Sequence, residues 1–189
     1  LRVSFLSRIF REGKPGASAA SSAPTFSQIR ATPLDETMMR RALELAREAA
    51  ALGEVPVGAI VYETASARVL GEGYNRREID HDPAAHAELI AIRAAARTLG
   101  DWRLNSCTLV VTLEPCAMCA GLIVNARVGR LVYGARDPKA GASESLYRLT
   151  SDPRLNHRVD GEGPIAGVME DECAAILKDF FRGLRARRG

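Results

Sequence analysis

The stretch Thr108-Leu109-Val110-Val111-Thr112-Leu113-Glu114-Pro115-Cys116-Ala117-Met118-Cys119 reads as a strand that runs directly into a helix. Thr108 to Thr112 is an apolar, β-branched run of the kind that packs on a pleated surface. Pro115 suits the first turn of a helix, where its missing N–H costs nothing. Cys116 and Cys119 are three residues apart and share one helix face. The dipole of a helix N-terminus favours their thiolate forms. By itself such a Cys pair is equally compatible with a structural zinc site or a redox motif.

About thirty residues upstream stands His86-Ala87-Glu88. Residues two apart point to different faces in a helix interior, but at a helix start they can address one site. Asp82-Pro83 reads as an N-cap followed by proline at the first helical position. Leu89, Ile90, Ala94 and Leu99 carry a helical apolar pattern, and Gly100 ends it. His86, Cys116 and Cys119 are together three ligands of the types zinc prefers. Four protein ligands close a structural site, whereas three leave a position for water. Glu88 has no ligand role to fill and stands where a proton carrier for that water is expected. Zn2+ with two thiolates and a neutral imidazole is nearly neutral, so deprotonating the water needs such a carboxylate. The expected geometry is two helix N-termini aimed at one metal.

Outward from these motifs the pattern is α/β. Thr32-Pro33-Leu34-Asp35 predicts a capping box, and Met39, Ala42, Leu43, Ala46, Ala49 and Ala50 form the apolar face of the helix after it, closed by Gly53. Val57 to Tyr62 and Arg68 to Tyr74 predict a hairpin, with Gly71 and Gly73 marking a close approach of backbone or ligand. Arg130 to Gly134 predicts a fourth strand, and Ala135 to Lys139 a polar loop. Asp152 to Gly167 is rich in turn residues and is assigned no element. Glu170 to Arg187 predicts a last helix with Ala174, Leu177, Phe180, Phe181 and Leu184 apolar. Strands alternating with helices imply layers.

The chain of 189 residues suffices for one domain with a sizeable core, and 47% hydrophobic with 26% charged residues is the balance of a soluble globule. No apolar run approaches the roughly 20 residues that span a bilayer, so no membrane partner is expected. Four cysteines, two of them in a metal motif, make no disulfide framework and fit a reducing compartment. Residues 1–34 differ from 35–189. Ala17 to Pro24 is an Ala, Ser and Pro run without periodicity, as in disordered segments. Arg2, Arg8, Arg11, Lys14 and Arg30 stand there against one acid, Glu12. The preferred expectation is a disordered extension without function on a cytoplasmic protein. The alternative is an organelle transit peptide. At the other end Lys178, Arg182, Arg185, Arg187 and Arg188 face only Asp179. Basic residues beside aromatics can hold phosphates and stack on bases; equally, cations suit a helix C-terminus. His81 and His157 lie outside ligand spacing and suit surface or loop hydrogen bonding. Cys107 and Cys173 suit small core positions, and Trp102 a core or edge position in preference to a stack on a base.

H-A-E followed by P-C-x-x-C resembles the signature of the zinc-dependent nucleobase deaminases. The resemblance extends from Met39 almost to the C-terminus and narrows to the bacterial tRNA-specific adenosine deaminases. It is carried by Glu54-Val55-Pro56-Val57-Gly58-Ala59, Gly71-Glu72-Gly73-Tyr74-Asn75-Arg76 and Leu113 through Gly121. Gly134-Ala135-Arg136-Asp137, Asn156-His157-Arg158-Val159 and Asp179-Phe180-Phe181-Arg182 carry it further. The resemblance implies a three-layer α/β/α cytidine-deaminase-like fold, with a mixed five-stranded sheet and the zinc site at two helix N-termini. It implies a homodimer whose active site borrows from both subunits. The implied reaction is hydrolytic deamination of the wobble adenosine, position 34, in the anticodon stem-loop of an arginine tRNA with anticodon ACG. His86, Cys116 and Cys119 match the zinc ligands and Glu88 the proton shuttle. Asn75 matches a residue that hydrogen-bonds the flipped base, and Asp137 a loop acid near the ribose. Phe180 and Arg182 match a region beside the RNA. Departures fall at Glu63 to Ala67, around Gly161 to Gly167, and in the N-terminal extension. A free-base or nucleotide deaminase, for guanine or cytosine, and a zinc-stabilised RNA-binding or scaffold subunit are the competing readings; inosine formation on tRNA separates them.

Overall fold

The computed structural model describes residues 31–159 and 163–188. The expected N-terminal extension lies outside the described residues up to residue 30, and so does part of the segment around Gly161 to Gly167.

Alternation along four strands sorts the core into two faces. In β1 (Gly58–Glu63), Ala59 and Val61 face one side while Ile60 and Tyr62 face the other. The same split separates Leu109 and Val111 from Val110 in β3 (Cys107–Leu113), and Leu131 and Tyr133 from Val132 in β4 (Arg130–Ala135). One face is covered by α3 (Ala87–Leu99) and α4 (Ala117–Asn125) through Ala87, Ala91, Ile92, Ala95 and Ile123. The opposite face is covered by α1 (Pro33–Ala51) and α5 (Glu170–Arg188), with Met39, Ala42, Leu43, Ala46 and Cys173 buried. The result is the expected α/β/α sandwich.

The sheet order is β2-β1-β3-β4, with β2 spanning Val69–Tyr74. β1 runs antiparallel to both β2 and β3, whereas β3 and β4 are parallel, so the sheet is mixed. It has four strands among the described residues, not the expected five. Beyond β4 a single parallel bridge joins Val132 to Ile165, with the Ile165 amide donating to Leu131 O at 2.9 Å. Among the described residues the pairing beyond this bridge adds only the Val168 amide donating to Tyr133 O at 3.2 Å; Pro164 lacks an N–H, and Gly163 and Gly167 adopt φ of 95° and 79°.

Two local devices fix the frame. The capping box forms as expected: the Asp35 amide donates to Thr32 Oγ1 at 3.2 Å and the Thr32 amide to Asp35 Oδ2 at 2.7 Å. On the edge strand, a Cβ on Gly71 would lie 2.3 Å from Ala91 O, and one on Gly73 2.5 Å from Ala87 O. The glycines therefore let α3 lie directly on β2, which sets the position of the start of α3. Cys107 and Cys173 are buried, and the His157 ring meets Val128 O at 2.8 Å, both as expected. Trp102 departs from its expected core or edge position. It is 52% exposed, under the Arg103 guanidinium at 4.3 Å, in the turn that follows α3.

Candidate metal centre and active site

Two helix starts meet here. His86 is the N-cap of α3 and Cys116 the N-cap of α4, both in extended backbone, and neither side chain caps its own helix. Each is free to turn into the space between the two helices. The expected helix start at Asp82-Pro83 is corrected. Asp82 closes a turn instead, its Oδ1 accepting the Ala84 amide at 2.8 Å, and α3 begins at Ala87. Pro115 likewise precedes the N-cap rather than entering the first turn.

The cap that His86 does not supply comes from Asn75, just past β2. Its Oδ1 accepts the Ala87 amide at 3.0 Å and its Nδ2 donates to Val55 O at 3.1 Å. Asn75 is thus buried with one amide hydrogen uncommitted by these bonds.

The ligand atoms suit zinc. His86 Nδ1 lies 3.7 Å from Cys116 Sγ and 3.6 Å from Cys119 Sγ, and the three ligand atoms lie within 4.8 Å of one another. Tetrahedral zinc at its usual bond lengths to sulfur and nitrogen separates such atoms by roughly 3.5 Å. Proton affinities in the cluster are far from ordinary. Hydrogen bonding from Cys119, and then from His86, pulls the Cys116 thiol down to about 3 against its burial. The Cys119 thiol is pushed up, first by its hydrogen bond to Cys116 and then by burial. Hydrogen bonding to Cys116 raises His86. The cluster thus favours the thiolate at Cys116, and a metal bound by such residues requires deprotonated thiols and a neutral imidazole.

Glu88, on the first turn of α3, is 4% exposed and lines the same pocket as His86 and Cys116. Burial pushes its carboxyl up to about 6. A carboxyl near neutrality accepts and releases a proton at little cost, as a shuttle must.

The pocket is also lined by Val55, Val57 and Leu113, which offer apolar walls, and by Asn75, Arg77, Glu114 and Asp137. Of the residues predicted from sequence, His86, Cys116, Glu88, Asn75 and Asp137 converge on it, and Cys119 completes the ligand cluster. Asp137 also shapes its own loop, Oδ1 accepting the amides of Lys139 at 2.9 Å and Ala140 at 3.2 Å. Phe180 and Arg182 are not brought to the pocket. They lie on α5, where Arg182 pairs with Asp179 at 2.6 Å on the surface. Lys178, Arg185 and Arg187 are exposed on the same helix.

Sequence reasoning gave no role to Arg77, Glu54 and Glu114. Arg77 stands exposed at the pocket. Glu54 is buried and its Oε1 accepts the amides of Glu78 at 2.8 Å and Ile79 at 2.9 Å, which ties down the segment carrying Arg77. The available signal was an acid inside an otherwise apolar stretch, which demands a partner when buried.

Residues 34–185 match the model of the MafB19-like deaminases. The tRNA-specific adenosine deaminase of Haemophilus influenzae is 46% identical over 154 residues, which cover 82% of this chain and 87% of that protein. Among solved structures, one of a tRNA:A34 deaminase, studied for A-to-I editing at the wobble position of transfer RNA, superposes with a TM-score of 0.69. It is 45% identical, over 75% of this chain and 99% of that one. A guanine deaminase from Nitrosomonas europaea superposes with a TM-score of 0.65 at 25% identity, over 89% of this chain and 98% of that one.

Proposed function

Since the chain belongs to the family of the bacterial tRNA-specific adenosine deaminases, we propose that it hydrolytically deaminates adenosine to inosine at wobble position 34 of tRNA, its substrate being the arginine tRNA with anticodon ACG. The observation that carries this reading is the convergence of His86, Cys116 and Glu88 with Asn75 and Asp137 on one pocket.

His86, Cys116 and Cys119 hold Zn2+, and the ion, when bound, supplies a Lewis acid that acidifies water. Glu88 then takes a proton from the attacking water and delivers it to ring N1 as oxygen bonds to C6. A second transfer through Glu88 protonates the amine at C6. The C6–N6 bond breaks, ammonia leaves, and the product carries a carbonyl at C6 and hydrogen at N1. Asn75, already tied to Ala87 and Val55, offers its remaining amide hydrogen to the base. Val55, Val57 and Leu113 exclude water from its faces. Asp137 accepts from a ribose 2′-hydroxyl, one way for a site to prefer RNA.

Arg182 and Phe180 on α5 belong to the proposed outer RNA contact, with the exposed cations beside them meeting phosphates. A homodimer in the cytoplasm is the proposed setting. Exposed Met118 on α4, and Leu146 and Tyr147 beyond Asp137, offer apolar surface to a second copy. Among the described residues no helix is long and apolar enough to cross a membrane.

The test is incubation of the purified protein with total tRNA, followed by sequencing for A-to-I change. Inosine at position 34 is expected. Faster turnover of free guanine or cytosine than of tRNA would overturn the proposal.

A further inference from the structure

Strand β3 is followed at once by an acid that the chemistry above does not use. Glu114 is 2% exposed, yet five donors converge on its two carboxylate oxygens. Oε1 accepts the amides of Ser143 at 3.2 Å, Glu144 at 2.8 Å and Ser145 at 2.8 Å. Oε2 accepts the amide of Asp137 at 3.0 Å and the hydroxyl of Ser145. The loop 137–145 is therefore wrapped around one carboxylate. The wrap is close, for a Cβ on Gly141 would lie 2.4 Å from both Cδ and Oε2 of Glu114. The same loop leans on the start of α4, where Gly141 bridges Cys116 and the Ala142 amide donates to Pro115 O at 2.8 Å. Glu114 thus links the segment that carries Cys116 to the segment that carries Asp137.

We propose that Glu114 is a positioning residue, whose carboxylate fixes Asp137 in the pocket wall and so sets the affinity for the tRNA substrate. The proposal rests on the tRNA reading above. An amide cannot replace the carboxylate, since it has one acceptor oxygen and an NH2 group that only donates. With that NH2 in place of Oε1, three backbone donors would face a donor. With it in place of Oε2, the Ser145 hydroxyl can rotate to accept, and only the Asp137 amide is left facing a donor. Glutamine at position 114 therefore adopts the second arrangement and loses the bond to Asp137 selectively.

The experiment compares wild type, Glu114→Gln, Asp137→Ala and the double variant, all zinc-loaded. For Glu114→Gln we expect KM for an anticodon stem-loop to rise about tenfold, with kcat and zinc content within about twofold of wild type. Hydrogen exchange at the Asp137 amide should speed up while α3 and the sheet stay protected. In the Asp137→Ala background the Glu114 substitution should add nothing further, because the two act as one unit. Additive effects on KM, unchanged exchange at Asp137, or an equal loss in kcat and zinc content would each overturn the positioning role. If Glu114→Gln does not fold, Ser145→Ala removes one of the five donors and should give the same pattern at smaller amplitude; no change in KM or loop exchange there overturns the role as well. Wild type that makes no inosine would sink the tRNA reading, and the Asp137 exchange would then decide by itself whether Glu114 positions that residue.

Discussion

Asn75 Oδ1 accepts the amide of Ala87 at 3.0 Å, so the helix that His86 begins is capped from a different part of the chain. An N-cap side chain normally bonds an amide of its own first turn. Here that duty is moved to Asn75, and the imidazole is left to face the thiols. Asn75→Ala should then do two things. It orphans a buried amide, at a cost of about 1–3 kcal/mol, and it loosens the proposed ligand His86. Urea denaturation should show a lower midpoint, and zinc should be lost to a chelator at lower chelator concentration. An unchanged midpoint together with unchanged chelator resistance would show that the cap does not matter.

A second buried carboxylate works at the other end of the sheet. Asp35 accepts two bonds of 2.6 Å from the Arg130 guanidinium, in addition to those from Thr32. Burial pushes its carboxyl up, but the hydrogen bonds from Arg130 and Thr32 outweigh it and hold Asp35 below its ordinary 3.8. A carboxyl depressed in the folded state contributes stability that is present above pH 3.8 and is lost as pH falls through the folded value. Asp35→Ala should destabilise the protein at neutral pH by about 3–5 kcal/mol, the usual cost of stranding a buried partner. That difference should shrink in the acid limb of a pH series. A difference that stays constant into strong acid would assign the loss to packing.

What was legible in the sequence is what is local. The β-branched run ending in Thr112, the alternation around Ile60, and the Thr32 to Asp35 capping box each depend on neighbours a few residues apart. The ligand types of His86, Cys116 and Cys119 are legible for the same reason. The start of α3 was misplaced because its cap, Asn75, arrives from a strand end that no window around Asp82 contains. The five donors around Glu114 lie more than twenty residues downstream of it, so the demand for partners was visible but their identity was not. Among the described residues the fifth strand is reduced to one pairing residue, Ile165, in a segment of Gly and Pro. Trp102 was misplaced because bulk alone does not say whether a turn residue faces inward.

The ligand set is open to a direct check. Cys116→Ala should lose most of its zinc by metal analysis and melt at a lower temperature, because ligand binding is coupled to folding. It should also release fewer protons on metal addition to the chelated protein, read in weakly buffered solution. Full zinc occupancy in this variant would mean that the ligand set is wrong.

Asp137 commits one oxygen to structure and leaves the other for the proposed substrate contact. Oδ1 receives Lys139 and Ala140, and an asparagine can keep that oxygen in place while its NH2 replaces Oδ2. Asp137→Asn should therefore keep the loop and lose the acceptor proposed for the 2′-hydroxyl. Competition between RNA and DNA stem-loops should show a preference reduced by roughly ten- to a hundredfold, the worth of one hydrogen bond to a charged group. An unchanged ratio would leave Asp137 with loop capping alone.

Glu88 separates an enzyme from a binding protein. Water must lose a proton before it attacks C6, ring N1 must gain one, and departing ammonia needs another. No other carboxylate on the first turn of α3 or α4 is available for these transfers. Glu88 is also the carboxyl that burial lifts to about 6, where the protonated and ionised forms lie close in energy. Glu88→Gln keeps the size and reach of the side chain but cannot carry a proton. The ligands are untouched, so zinc content and fold should hold. Acid–base contributions are typically about 10²–10⁴-fold, and one residue serving every transfer should cost at or above the top of that range. Binding of tRNA should survive, since phosphate contacts dominate it. The measurement is single-turnover inosine formation beside a binding titration, for wild type and variant together. Near-normal inosine formation by Glu88→Gln would remove Glu88 as the shuttle. Normal chemistry with weakened binding would move it from proton transfer to recognition of the base.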